Sequence, residues 1–242
     1  MQCRLCLENK FLCKKSHIIP DFMYKDLFDE KHRLIESDIN LKGKPLQSGK
    51  HEPNLLCENC DNKIIGKLET YAAKVINGGP ISVAIRRVQT VDGYYKQVGG
   101  IDYTTFKLFL LSILWRASVS KQPFFSKVAL GPYEETVRKM LLSSNPGPAE
   151  QFPCVIMDYR SKELLKGVVS APTKSRLGDR TSYRFIISGL LYTFIVTEKD
   201  SPQWVYNWAI NTNGEFRIIE ATKSEGTQLL GGIFNIDASQ LP

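Results

Sequence analysis

Long apolar runs are missing from this chain. The longest, Phe185 to Val196, is interrupted by Ser188, Gly189 and Thr193, too short to cross a bilayer, and reads as core. The opening Met1-Gln2-Cys3-Arg4 leads into no apolar segment, so no signal peptide is expected, and a reducing cytoplasmic setting with no membrane partner follows. Internal repeats and low-complexity tracts are absent too. Histidine is scarce, with three in 242 residues. The remainder is ordinary for a globular protein: 43% hydrophobic and 24% charged residues, enough chain for one large or two small domains without disulfides.

Six cysteines stand out, because four fall in two Cys-x-x-Cys pairs, Cys3/Cys6 and Cys57/Cys60. A two-residue spacer lets both sulfurs of a pair converge on one ion about 2.3 Å away, and two pairs close a tetrahedron with no open position. The spacing therefore predicts a structural zinc held by Cys3, Cys6, Cys57 and Cys60. Cys13 and Cys154 lie among apolar neighbours and read as small buried hydrophobes.

The net charge of +7 is compatible with a polyanionic partner. Residues 1–80 carry 13 Lys/Arg against 11 Asp/Glu, and residues 81–242 carry 19 against 14, so most of the excess lies downstream of the cysteines. Lys14 and Lys15 precede His17. Lys174, Arg176, Arg180 and Arg184 cluster further on, either as an ordinary solvated hairpin or as a phosphate-contacting loop.

Local patterns order the elements. Phe11–Ile19 reads as a strand with His17 near its end, a helical turn is expected around Asp21–Phe28, and Asn54-Leu55-Leu56 reads as a second short strand. Apolar residues from Ile64 to Val75 recur at helical spacing, and Asn77-Gly78-Gly79-Pro80 ends that helix and sets a module boundary. Val91-Asp92-Gly93 signals a hairpin. Asp102 caps a helix to about Val119 whose apolar residues surround the cylinder, and Pro132 opens another. From Phe152 the pattern is β-rich, with strands expected at Cys154–Met157, Gly167–Ser170, Tyr183–Ile187, Leu191–Val196, Val205–Ile210 and Phe216–Ile219. His32 and His51 fall in a charged excursion and are expected in solvent.

A knuckle, Ser16-His17-Ile18-Ile19-Pro20, Asn54-Leu55-Leu56 and a second knuckle opening a helix form a sequence that resembles the zinc-braced HNH nucleases. The likeness covers roughly residues 3–76. It implies an α+β protein: a zinc-stabilised ββα-metal module (1–78), then a mixed α+β domain with an antiparallel sheet (79–242) for target selection, regulation or oligomerisation. By the same resemblance His17 is the general base of a metal-dependent endonuclease acting on DNA, Asn54 fixes the loop by side-chain hydrogen bonding, and Asp61 binds a catalytic Mg2+ or Mn2+. Association with small bacterial nucleases of this type adds a context of defence against foreign DNA, with a homo-oligomer or a regulatory protein as further partners. The chain departs from the family at Ser16, where an Asp or His often helps hold the metal; Asp21 or Glu69 could substitute. The competing expectation is a catalytically inactive zinc-braced module that binds nucleic acid or protein.

Overall fold

The computed structural model describes residues 1–27, 34–37, 43–46, 49–91, 93–160, 168–197, 203–222, 224–225 and 228. Strand β1 (Ser16–His17) leads into a 3-10 turn, Asp21–Leu27, and two short strands, β2 (Leu34–Ser37) and β3 (Gly43–Leu46), pair with each other. Strand β4 (His51–Glu52) returns antiparallel to β1, with Ser16 opposite Glu52 and His17 opposite His51. A wide helical stretch, Asn59–Ile65, then tightens into α1 (Gly66–Asn77), which Gly78 ends at φ 80°.

The hairpin of β5 (Ala84–Thr90) and β6 (Gly93–Gly99) follows; Asp92 of its turn signal lies outside the described residues. Helix α2 (Tyr103–Val119) starts where expected, the Asp102 carboxylate accepting the Thr105 amide at 2.7 Å. Helix α3 spans Tyr133–Ser143 with Glu134 and Glu135 in its first turn, near the positive dipole end. Six more elements follow in the described chain: β7 (Cys154–Asp158), β8 (Thr173–Leu177), β9 (Arg180–Ile187), β10 (Leu190–Val196) and then α4 (Gln203–Trp208), before β11 (Phe216–Glu220). Ser188 and Gly189, both at positive φ, make the tight β9–β10 turn. Among the described residues no helix is long and apolar enough to cross a membrane.

Seven strands form one sheet in the order β5-β6-β11-β7-β10-β9-β8. The sheet is mixed, not antiparallel as expected, because β11 enters between β6 and β7 and runs parallel to β7. Three local expectations also need correction. Val205–Ile210 is not a strand: its start belongs to α4, where Val205, with Ala209 just past the helix, packs against Val155 and Ile195. In the Gly167–Ser170 segment only an isolated bridge forms, Val169 to Ile187, and Gly167 itself lies outside the described residues. Asn54-Leu55-Leu56 is a turn, so the partner of the His17 strand is His51–Glu52.

Helix α2 is apolar nearly all round and fills the centre. Phe106, Phe109, Leu111, Leu114 and Trp115 are all buried. The same continuous cluster takes in Cys3, Leu5, Ile18 and Leu56 from the cysteine region, and Cys154, Phe185 and Tyr192 from the sheet. Residues 1–78 and 79–242 therefore share one core.

Candidate functional site

The cysteine pairs meet as their spacing requires. Sγ atoms of Cys3, Cys6, Cys57 and Cys60 all lie within 4.8 Å of one another, and all four are free thiols. A zinc tetrahedron with bonds of about 2.3 Å has sulfur–sulfur edges of about 3.8 Å, so a small contraction seats an ion. Cys3 and Cys60 are fully buried. Backbone amides point inward, the Cys57 N–H donating to Cys3 Sγ at 3.3 Å. Burial opposes ionisation of Cys3, yet the amides of Cys6, Cys57 and Leu5 outweigh it and leave its thiol pKa lowered. Burial pushes Cys60 up, and the neighbouring thiols add to that. Such a donor set suits a thiophilic divalent ion, whose charge would supply the counterweight that the crowded thiolates need. Among the described residues no second group of three or more His, Cys, Asp or Glu side chains converges this closely.

The β1–β4 pair sits beside this cluster. Side chains of directly opposed residues share a face, so His17 and His51 meet on one side and Ser16 and Glu52 on the other. The His17 and His51 rings lie edge to face with centroids 6.1 Å apart, and His17 Nε2 is 3.5 Å from Asp21 Oδ1. His17 is about one-third exposed, so its imidazole can reach solvent. His51 is half-buried, with Nδ1 3.1 Å from the Gly49 carbonyl, and so is not the freely solvated side chain expected. His32 lies outside the described residues.

The opposite face of the pair is buried. Ser16 is fully buried, and its hydroxyl approaches a carboxylate without closing a well-formed hydrogen bond. The carboxylate whose charge it favours is Asp61, on the first turn of the helix that follows the second knuckle. Burial leaves the Asp61 pKa raised, although Arg116 and the Ser16 hydroxyl pull it down. Glu69, further along the same helical stretch, binds Arg116 at 2.7 Å and repels Asp61. Asn54 contributes through its backbone: it sits at φ 60°, its amide donates to the Cys13 carbonyl at 2.9 Å, and its side chain is exposed.

Helix α2 holds both strands. Arg116, 1% exposed, donates to the His17 carbonyl at 2.6 Å and to Glu69, and is steadied by Ser112 one turn earlier. Just past the helix, Ser120 and the Lys121 amide bind the buried Glu52 carboxylate, and Gln122 donates to the His51 carbonyl. Helix α3 grips the first knuckle, through Arg138 to the Leu5 carbonyl. Sequence reasoning missed Arg116 and Glu52. The signal for Arg116 was its place, four residues after Ser112, in an otherwise apolar helix, where a charge needs a partner.

Lys14 and Lys15 are exposed just ahead of His17. Lys174, Arg176 and Arg180 lie on the β8–β9 hairpin at one edge of the seven-stranded sheet, with Arg176 on the Asp179 carbonyl and Arg180 on its carboxylate. No protein-family model matches the chain, and no curated protein or solved structure matches it.

Proposed function

We propose that this chain is a metal-dependent endonuclease that hydrolyses DNA phosphodiester bonds with His17 as general base. The observation that carries the reading is one arrangement. A solvent-reaching histidine stands on a two-strand antiparallel pair, within electrostatic reach of Asp61 on the helix opened by the second cysteine pair, and the four cysteines converge on one point. In this reading zinc at Cys3, Cys6, Cys57 and Cys60 is structural. Magnesium or manganese, bound through Asp61, would neutralise charge on the phosphate and the departing oxygen.

His17 accepts a proton from a water whose oxygen attacks phosphorus, the bond from phosphorus to the 3′ oxygen breaks, and that oxygen leaves with a proton from solvent. Asp21, 3.5 Å from Nε2, and the edge of the His51 ring orient the imidazole. Arg116 fixes the carbonyl of His17, and so its place in the strand. Exposed Lys14 and Lys15 offer phosphate contacts beside the site.

The second reading is a zinc-braced binding module without catalysis. It draws on Ser16, which is buried and a poor cation ligand where the family often has Asp or His, and on the lack of a second converged ligand group among the described residues. A plasmid-nicking assay with added magnesium or manganese, run beside His17→Ala, separates the two. Cutting by the parent and not by the variant supports the nuclease. Equal cutting by both removes His17 from the chemistry, and DNA binding without cutting under any metal favours the binding module.

A further inference from the structure

Away from the cysteines, a cleft of about 560 Å³ opens on the seven-stranded sheet, lined by Arg87, Tyr94, Lys96, Asp158, Arg160 and Glu220 among others. The sheet register builds it. Tyr94 of β6 lies opposite Glu220 of β11, which lies opposite Asp158 of β7, so these three share one face. Lys96, two residues from Tyr94, joins that face, and Arg87 of β5 lies directly opposite Lys96. Asp158 and Glu220 end β7 and β11, the adjacent parallel strands, and the carboxyl end of parallel strands is where such sheets commonly receive ligands.

The charges are held in place before anything binds. Asp158, 6% exposed, accepts Lys96 at 2.8 Å and Arg160 at 2.7 and 2.9 Å. Burial pushes its pKa up, but the Arg160 and Lys96 hydrogen bonds more than reverse this and leave it well below the usual carboxylate range. Glu220 accepts Arg87 at 2.7 Å and lies 3.5 Å from Lys96. Arg87 also stacks over the Tyr94 ring, 3.9 Å from its centroid. Among the described lining residues three cations stand beside two carboxylates, and the Glu225 carboxylate accepts from Thr222, which also lines the cleft.

Stability alone gives little reason for this cluster. Like charges directly opposite on neighbouring strands, as Arg87 and Lys96 are, cost stability. A half-buried ionic network gains little over well-packed apolar residues. What it does provide is cations with their rotamers already fixed, which lowers the ordering cost of binding an anion. They come from β5, β6 and the turn after β7. Donors from three directions match the oxygens of a tetrahedral phosphate better than the two coplanar oxygens of a carboxylate. The cleft volume lies within the range of small-ligand pockets and leaves room for more than the phosphate beside the partly exposed Tyr94 ring.

We propose that this cleft binds a small phosphate-bearing ligand of nucleotide size, its phosphate held by Arg87, Lys96 and Arg160 and its body lying beside Tyr94. This site is separate from His17 and does not rest on the nuclease reading. The test is isothermal titration calorimetry on the full zinc-loaded chain at 0.15 M salt, using 5′-AMP, orthophosphate and citrate as probes. Expected is saturable binding of AMP, tighter than orthophosphate, with citrate weakest. Arg87→Gln/Lys96→Gln should weaken AMP at least tenfold. Arg87→Gln alone, at a half-exposed edge-strand position that leaves Lys96 on Asp158, should weaken it several-fold with an unchanged melting temperature. His17→Ala and Lys174→Gln/Arg176→Gln should bind AMP as the parent does. The proposal is overturned by no saturable heat from AMP, by citrate or orthophosphate binding as tightly as AMP, or by the hairpin variant losing as much as the cleft variants.

Discussion

Replacing Arg116 with methionine tests how α2 holds the histidine hairpin. The side chain is 1% exposed and makes four hydrogen bonds, so its partners are stranded when it goes. Glu69 loses a charge-assisted bond, but at 24% exposure it partly rehydrates, so its share is about 1.5 kcal/mol. The His17 carbonyl loses its donor inside the core for about 1 kcal/mol, and the Ser112 hydroxyl adds about 0.5. Methionine refills most of the volume, so cavity terms are small. The total is roughly 3 kcal/mol, at the low end for breaking a buried ion pair. Urea unfolding followed by tryptophan fluorescence, at fixed zinc concentration, should show a midpoint lower by about 1 M for a slope near 3 kcal/mol/M. Adding Glu69→Gln should return about 1 kcal/mol, since the stranded charge is then gone. A loss below about 1 kcal/mol for Arg116→Met, or an additive loss in the double variant, would refute the reasoning.

Two further outcomes are expected. Cys60→Ser should lower metal content to well under one zinc per chain by elemental analysis, and chelation of the parent should lower its melting temperature; a parent without zinc, or a variant retaining it fully, contradicts the four-cysteine site. Lys107 is buried on α2, donates to the Pro148 carbonyl and to Tyr103, and burial brings its pKa down to about 7 against a weaker pull from Glu150. Its folded pKa lies below its unfolded one, so between about pH 7 and pH 10 the unfolded chain holds the extra proton and stability rises with pH, by up to about 4 kcal/mol. Lys107→Met should flatten that rise in urea titrations repeated across the range; an unchanged pH slope would place Lys107 in an ordinary charged state.

The cysteine cluster was legible because metal geometry acts through short spacings that survive any tertiary context. Helix α2 and its Asp102 cap were legible for a similar reason, since propensity, capping and burial agree there. His17 was correctly placed in a strand, but its partner strand was not, because two residues of β4 inside a charged excursion carry no period to detect. Val205–Ile210 went astray for a related reason: six residues with three large apolar side chains fit either period, and burial of Val205 with Ala209 decides for the helix. The parallel placement of β11 depends on where the chain returns after α4, which no local pattern records. Arg116, Glu52 and the Arg87–Lys96–Arg160 cleft arise from residues far apart in sequence, where spacing offers no hint.

The grip of α2 on the β1–β4 hairpin has a consequence for the order in which a ribosome releases this chain. Both cysteine pairs have emerged by residue 60, and from then on they can take up metal. The groups that fix the carbonyls of His17 and His51 and the carboxylate of Glu52 arrive only with residues 116 to 122. During that interval the nascent segment holds its ion but not its histidine geometry, and any activity that depends on His17 begins only once the later helix has docked.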